Sequence, residues 1–461
     1  MPVLDSDTIV ARATPAGMGA VAVVRISGPQ ALVMTDQLLR KPISHAPSHT
    51  LHLKRLYDGD QLLDEALVAL FQGSKSYTGE PTVELSLHGS EFIVQRVLQA
   101  YLKRGARMAE PGEFTQRAFL NGKLDLAQAE AVSDLIASEH EAAHSQALHH
   151  LRGGFSQDIA ELRAKLLHFV SLMELELDFG EEDVEFASRS ELKSLVEELR
   201  TRLAALEESY QLGNALKKGF ALVLAGRPNA GKSTLFNGLI REDKALVSDI
   251  EGTTRDAIED QFFVDGFRIR LIDTAGIRAA TDTIEQMGIE RTWNHVAQSG
   301  ATLFLVDASH WSPADFESDL AALQSKNAQI WVLATKMDLV QQPPAELEEL
   351  LKRHGLPGLL SVAAQDAVSL LQLRKDLAQR FAAELQPFAD QTVVTNARHA
   401  EALARCRAEL DDLLAGMEAG LSGDLLVFHL RHGIAQLGRI TGEIDADEVL
   451  GSIFSSFCIG K

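Results

Sequence analysis

The sequence predicts a multidomain protein: an α+β domain at the N-terminus, an all-α domain, and an α/β domain inserted into the helical one. Three changes of texture carry this. Over roughly the first 120 residues, short apolar alternations at 21–26, 66–71 and 83–87 are separated by Gly/Pro turns. From about 124 to 216 glycine and proline thin out, and apolar residues recur at three-to-four spacing, as at Leu162, Leu166, Phe169 and Met173. From 220 to 364 strand-like and helical stretches alternate, the mark of a mostly parallel sheet, and helical texture returns after about 370. The expected boundaries are 1–122, 123–216, 217–384 and 385–461. The second and fourth pieces would form one helical domain around the insertion, which requires the inserted domain's ends to lie close together.

Composition narrows the function. The 461 residues are 46% hydrophobic and 24% charged, with no run near the ~18 apolar residues that span a bilayer. Residues 1–15 have neither a basic region with an apolar stretch behind it nor an Arg-rich character. Two cysteines, Cys406 and Cys458, allow no disulfide framework and suit a reducing cytoplasm. The net charge of -21 argues against a stand-alone non-specific nucleic-acid binder. Residues 1–122 balance 12 basic against 12 acidic residues, so the rest of the chain holds the whole deficit, 32 against 53.

The first chemical motif is Gly226-Arg-Pro-Asn-Ala-Gly231-Lys232-Ser233, a phosphate-binding loop. A strand-like run at 220–224 precedes it and a helical run from Thr234 follows. Backbone N–H groups of Asn229, Ala230, Gly231 and Thr234 can meet phosphates at the helix start. Lys232 can neutralise the β/γ oxygens and the Ser233 hydroxyl can ligate Mg²⁺. Residues 261–264 and 267–272, joined by Asp265-Gly266, read as a hairpin. It delivers Asp273-Thr274-Ala275-Gly276, where Asp273 can hold the Mg²⁺ shell and the Gly276 N–H can meet a γ-phosphate. Upstream, the polar segment Ser248-Asp249-Ile250-Glu251-Gly252-Thr253-Thr254 offers Thr254 as a second Mg²⁺ ligand.

Base choice is read from the strand at 330–334 and Thr335-Lys336-Met337-Asp338 behind it. The Asp338 carboxylate can accept from two guanine donors that adenine lacks, and a buried carboxylate left unpaired costs about 1–3 kcal/mol. The Lys336 stem can lie over the base. This resembles the Asn-Lys-x-Asp element of the GTPase superfamily, with Thr335 where Asn is usual, a departure that would loosen the loop. The superfamily's Ras-like members carry a water-orienting Gln directly after Asp-x-x-Gly, where this chain has Ile277. Something else must orient water and offset transition-state charge.

The ends of the chain carry a closer resemblance. Asp7-Thr-Ile-Val-Ala-Arg-Ala-Thr-Pro15, Val24-Arg25-Ile-Ser-Gly28, Tyr77-Thr-Gly-Glu80 with Val83-Glu84, Pro111-Gly-Glu-Phe114, Lys123-Leu-Asp-Leu-Ala-Gln128 and terminal Phe457-Cys458-Ile459-Gly460-Lys461 together resemble the MnmE (TrmE) family of tRNA-modification GTPases. The resemblance covers the whole chain. It implies a folate-binding-like N-terminal domain that dimerises, an all-α helical domain, and an inserted Ras-like P-loop GTPase domain. It also implies a homodimer that joins the FAD-dependent partner MnmG (GidA) in a heterotetramer. That assembly would bind tRNA and install a carboxymethylaminomethyl-type group on the wobble uridine, away from any membrane.

Residue roles follow from the same resemblance. Arg25, Glu84, Lys123 and Lys461 match folate-contact positions for 5-formyltetrahydrofolate or a related tetrahydrofolate, with Glu80 close by as the other carboxylate. An ordinary surface ion pair is the competing account of each one singly. K⁺ replaces the arginine finger, with Asn229 its side-chain ligand and Ser248, Ile250 and Thr253 on the loop around it. A turn residue in left-handed geometry is the plainer account of Asn229. Glu285 matches the water-orienting acid, against a solvated helix charge, and Arg255 and Arg278 would support the dimer face. Cys458 sits on a tail near the folate pocket, where its thiol is a candidate for chemistry or positioning. Cys406, on a helix expected at 397–414, reads as a core residue, and His149-His150 lacks converging partners for zinc. Two rival readings have different requirements. A ribosome-assembly GTPase would want a basic RNA-binding module, and a dynamin-like scaffold would want a membrane-inserting segment.

Overall fold

The computed structural model describes residues 7–178, 189–244, 259–273, 300–325, 329–385, 392–443, 447–455 and 457–460. The chain divides into two compact units. One comprises residues 1–133, 150–163 and 437–461, the other residues 134–149 and 164–436.

The first unit begins β1 (Ile9–Arg12), β2 (Val21–Ser27), α1 (Ala31–Asp36), β3 (Thr50–Asp58), β4 (Gln61–Phe71), β5 (Thr82–His88), α2 (Glu91–Leu102), β6 (Arg107–Met108) and α3 (Glu113–Leu120). Its sheet runs β3-β4-β5-β2-β1-β6, antiparallel except for the β1–β6 pair. The alternation read at 21–26 places Ala22, Val24 and Ile26 in the core with Val68, Leu85, Val97 and Tyr101.

A charge cluster pins α3 to this sheet. Arg117, 4% exposed at its side chain, pairs with Asp7 at 2.6 Å, Glu113 at 3.0 Å and Glu80 at 3.2 Å. Arg107 pairs with Asp7 at 2.7 Å and Glu113 at 2.6 Å. Burial alone would raise the Asp7 and Glu113 carboxyls, but hydrogen bonds from Arg107 and Arg117 hold both below their ordinary values.

The next helices are α4 (Leu126–Ala137), α5 (Glu141–Leu151), α6 (Gly154–Asp178) and α7 (Arg189–Lys218). The Asp125 side chain accepts from Gln128 N–H at 2.8 Å and the Gln128 side chain accepts from Asp125 N–H at 3.0 Å. This reciprocal cap gives the Lys123–Gln128 motif a physical role at a helix start.

The α/β region follows: β7 (Phe220–Gly226), α8 (Lys232–Lys244), β8 (Glu259–Val264), β9 (Phe267–Asp273), β10 (Gly300–Asp307), α9 (Pro313–Gln324), β11 (Gln329–Thr335), α10 (Ala345–Arg353), β12 (Leu360–Ser361) and α11 (Ala367–Leu385). Strand order is β12-β11-β10-β7-β9-β8, all parallel except β8, which pairs antiparallel with β9. The hairpin turn holds Asp265 at φ 47° and Gly266 at φ 80°, the paired positive values that an Asp-Gly turn supplies. Three further helices end the chain: α12 (Ala397–Glu418), α13 (Gly423–Thr441) and α14 (Asp447–Ser455). Cys406 is fully buried on α12, and burial beside Glu409 pushes its thiol up to about 12. His150 is buried and stacks on Phe155 with ring centres 5.2 Å apart. Among the described residues no helix is long and apolar enough to cross a membrane.

The charge cluster has a consequence for acid stability. A carboxyl whose pKa is lowered by folding contributes its full stabilisation above its ordinary value and loses it as pH falls from there through the lowered value. Hydrogen exchange of the α3 amides should therefore accelerate as pH drops below about 4.5, the ordinary Glu113 value, once intrinsic exchange rates are corrected for. Glu113→Gln should cost roughly 2 kcal/mol of local stability at neutral pH and make the acid loss shallower. Unchanged exchange in the variant would assign the cluster no stabilising role.

Candidate functional site

The phosphate loop is built between a buried strand and an open helix start. Residues 220–225 of β7 are all buried, and the chain then turns through Gly226 at φ 150°, Asn229 at φ 65° and Gly231 at φ 92°. These values curl the loop back onto the start of α8, whose first residues are Lys232, Ser233 and Thr234. A Cβ on Gly226 would stand 2.7 Å from the Leu305 carbonyl oxygen, so glycine is required where the loop crosses β10. The Lys232 ammonium donates to the Gly226 and Arg227 carbonyls, both at 2.8 Å. It thus spans the concavity of its own loop. Asn229 is exposed and takes a left-handed backbone, which an Asn tolerates.

The segment expected to read the base is tied to this loop. Thr335 ends β11 at 1% exposure, and its hydroxyl lies 2.8 Å from the Ala230 carbonyl and 3.2 Å from that of Val306. Thr335 therefore tethers the segment to the phosphate loop, contrary to the loosening expected from the missing Asn. Lys336 follows at φ 57° and its ammonium meets Asp307 at 2.6 Å. Burial alone would raise the Asp307 carboxyl, but Lys336 and Ser309 hold it below its ordinary range. Asp338 is exposed, not buried as the sequence reading expected. Met337 N–H donates to the Val362 carbonyl at 3.3 Å, which fixes the segment against the chain leaving β12.

The backbone of Asp273 pairs with Leu224 at the end of β9, beside the start of the phosphate loop. Ser248, Asp249, Ile250, Glu251, Gly252, Thr253, Thr254, Arg255, Thr274, Ala275, Gly276, Ile277, Arg278, Glu285 and Lys461 lie outside the described residues. Two elements were not anticipated from sequence. Asp307, at the end of β10, holds Lys336. Arg227, inside the phosphate loop, pairs with Asp315 and Asp319 of α9, each at 2.7 Å. The ends of parallel strands gather binding groups, so Asp307 closing an apolar strand was the available signal. A cavity of about 390 Å³ opens here, lined by Arg227, Asn229, Phe304, Asp307, Trp311 and Lys336.

A second site lies in the first unit. Arg25 and Glu84 face each other across β2 and β5, and the guanidinium donates to the carboxylate at 2.8 Å. The guanidinium sits 5.3 Å from the Tyr77 ring centre and 5.6 Å from that of Phe114. It also reaches the Gly460 carbonyl at 3.4 Å, so the chain's far end closes over it. The tail is held by a bridge between Pro111 and Ile459 and by Gly112 N–H donating to the Cys458 carbonyl at 3.4 Å. Gly460 takes φ 97°, and a Cβ there would stand 2.2 Å from the Arg12 carbonyl oxygen. Phe457 is buried with Leu126, Leu450 and Phe454, whereas Cys458 is exposed. Glu80 is committed to Arg117 and Ser27, which leaves Glu84 as the carboxylate beside Arg25. Lys123 is exposed and donates to the Ser74 carbonyl at 2.9 Å, touching the Gly79 turn and not Arg25.

Residues 8–123 match the family model described as the GTP-binding protein TrmE N-terminus, and residues 126–458 match the MnmE helical domain. Proteins named tRNA modification GTPase MnmE are similar along their whole length. That of Cytophaga hutchinsonii is 46% identical, over 99% of this chain and 98% of its own. Those of Christiangramia forsetii and Bacteroides thetaiotaomicron are 43% and 44% identical, each over 99% of this chain and at least 99% of theirs.

The Thr335 tether makes a specific demand. Thr335→Val keeps the volume but removes the hydroxyl from the Ala230 carbonyl, at a cost of about 1–2 kcal/mol. Equilibrium titration should show guanine-nucleotide affinity reduced by roughly tenfold. Wild-type affinity in the variant would mean that the hydrogen bond does not position the loop.

Proposed function

Because the chain belongs to the MnmE family and so is a GTP-hydrolysing enzyme of tRNA modification, we propose a more specific reaction for it. It works with an FAD-containing partner, MnmG, to add a carboxymethylaminomethyl-type group to the wobble uridine of certain tRNAs. The one-carbon unit comes from 5-formyltetrahydrofolate or a related tetrahydrofolate. The observation that carries this reading is the Gly460 carbonyl lying 3.4 Å from Arg25, which is itself paired with Glu84. A pterin needs an acceptor for its donor edge, and a glutamate tail needs cations. Arg25 and Glu84 offer both under a lid made by the chain's own terminus, and Lys123 and Lys461 are the further proposed cations. Two copies pair as a homodimer in the cytoplasm, and the N-terminal domain (1–122), the helical domain (123–216 with 385–461) and the GTPase domain (217–384) divide the work.

Hydrolysis follows from the nucleotide site. Lys232 exchanges the Gly226 and Arg227 carbonyls for phosphate oxygens when GTP enters, which removes two hydrogen bonds and supplies two stronger ones. Asp338 takes the guanine edge with Lys336 against the base face, and Asp307 anchors that lysine. The exposed Ser233 hydroxyl at the start of α8, beside the β9 end at Asp273, fits a Mg²⁺ ligand, with Thr254 as the second. That ion neutralises charge on the β/γ oxygens when bound. Glu285 orients the attacking water in place of the glutamine that Ile277 cannot replace. Asn229, Ser248, Ile250 and Thr253 are the residues that would hold K⁺, which would supply the positive charge an arginine finger brings elsewhere.

This assignment is tested by the salt response of turnover. GTP hydrolysis should rise by orders of magnitude when Na⁺ is replaced by K⁺, on the scale of other transition-state cations. Asn229→Ala should flatten the response, and Glu285→Ala should slow hydrolysis while leaving GTP affinity nearly intact. Equal rates in the two salts would remove K⁺ from the reaction.

A further inference from the structure

Away from both sites, α12 and α13 bring four metal-binding side chains to one place. Glu409 and Asp412 lie three residues apart on α12, and His429 and His432 lie three apart on α13, so each pair shares a helix face. One carboxylate oxygen from Glu409, one from Asp412 and a ring nitrogen of His429 all lie within 4.8 Å of one another. His429 Nδ1 is 2.8 Å from one Glu409 oxygen, and His432 Nδ1 is 3.4 Å from the other. Phe428 packs on the His432 ring with centres 4.0 Å apart, which orients it.

Two features exceed an ordinary ion pair. First, Asp412 makes no hydrogen bond or ion pair among the described residues, although its oxygen converges on Glu409 and His429. Like charges three residues apart repel and an exposed carboxylate is free to turn to water, so convergence favours a cation between them. Secondly, the donors are graded in exposure: the Glu409 and His429 side chains are 24% and 23% exposed, while Asp412 is open. That leaves an entry path above a partly sheltered pair. A tetrahedral ion with bonds of about 2.1 Å wants its donors roughly 3.4 Å apart. The Glu409–His429 pair, hydrogen-bonded at 2.8 Å, has to open slightly to admit the ion, and Asp412 starts within 4.8 Å of both.

We propose that Glu409, Asp412 and His429 form a binding site for a divalent transition-metal ion, and that the ion is Zn²⁺. Mixed imidazole and carboxylate donors suit zinc, whereas Mg²⁺ and Ca²⁺ prefer oxygen alone. His432 Nδ1 stands 3.4 Å from the second Glu409 oxygen, where it can donate to that carboxylate as ligating carboxylates require. The ion cross-links α12 to α13 and leaves the nucleotide chemistry alone.

The test uses the full chain, freed of metal with chelator and titrated with Zn²⁺ by calorimetry without nucleotide. One Zn²⁺ per chain should bind and raise the melting temperature. Asp412→Asn, an exposed change that leaves the helices intact, should weaken binding by more than about tenfold, and His429→Ala should abolish the site. The same titration with Co²⁺ should give a spectrum free of sulfur-to-metal charge transfer, which separates this site from Cys406 and Cys458. Failure to bind Zn²⁺ overturns the proposal. So does equal affinity in wild type and both variants, or a cobalt spectrum of thiolate type.

Discussion

The nucleotide region depends on a single close crossing of backbone. On α7, Gly213 lies so near the returning chain that a Cβ there would come 2.0 Å from the Val394 carbonyl oxygen. The Val394 N–H donates to the buried Ser209 hydroxyl at 3.0 Å, and the Val393 carbonyl accepts from Gln146 at 3.0 Å. The chain entering the α/β region and the chain leaving it are therefore fastened together just before β7 and just before α12. An inserted domain needs its two ends adjacent, and these contacts supply that adjacency. Beyond the crossing, α7 and α12 run together with ion pairs Arg407–Glu207 and Arg200–Asp411 at their margin. Those exposed pairs contribute little, and burial of leucines such as Leu199, Leu203, Leu410 and Leu413 supplies most of the stabilisation.

From that frame the phosphate loop gains its shape. β7 is a central strand buried over residues 220–225, and the positive φ at Asn229 and Gly231 turns the loop back over its end. Thr335 then couples the segment expected to read the base to that loop through one hydrogen bond of 2.8 Å to Ala230. The first unit solves a different problem. There the sheet presents Arg25 and Glu84, and the terminus is drawn in by Phe457 on one side and by the room that Gly112 and Gly460 leave for backbone on the other.

Periodic and local features were legible in the sequence. The alternations at β2 and β5, the Asp-Gly hairpin and the phosphate loop can each be recognised from a pattern of a few neighbouring residues. The helix after the phosphate loop starts at Lys232, two residues before the expected Thr234, and α12 extends to Glu418 beyond 414. Both shifts fall at helix ends, where propensity says little. Long-range partners were not legible. Thr335 meets Ala230 across 105 residues, and spacing could not separate Glu80 from Glu84. The distinction comes from Arg117, which reaches Glu80 from α3, and from the register of β2 on β5, which sets Glu84 opposite Arg25. Asp338 was expected to be buried because a base-reading carboxylate must be dry, and the protein alone leaves it exposed.

The central claim is that one chain carries a GTP-driven domain and a separate one-carbon pocket closed by its own terminus. The most direct test deletes Cys458 to Lys461 and measures two outputs of the same protein. GTP turnover should stay near normal, because the described tail residues are held by Arg25 and Pro111 of the first unit, away from the phosphate loop's sequence. Wobble-nucleoside analysis of tRNA from cells carrying only the truncated chain should show the modification lost. Modification at the normal level would contradict the account and reduce the tail to a packing element.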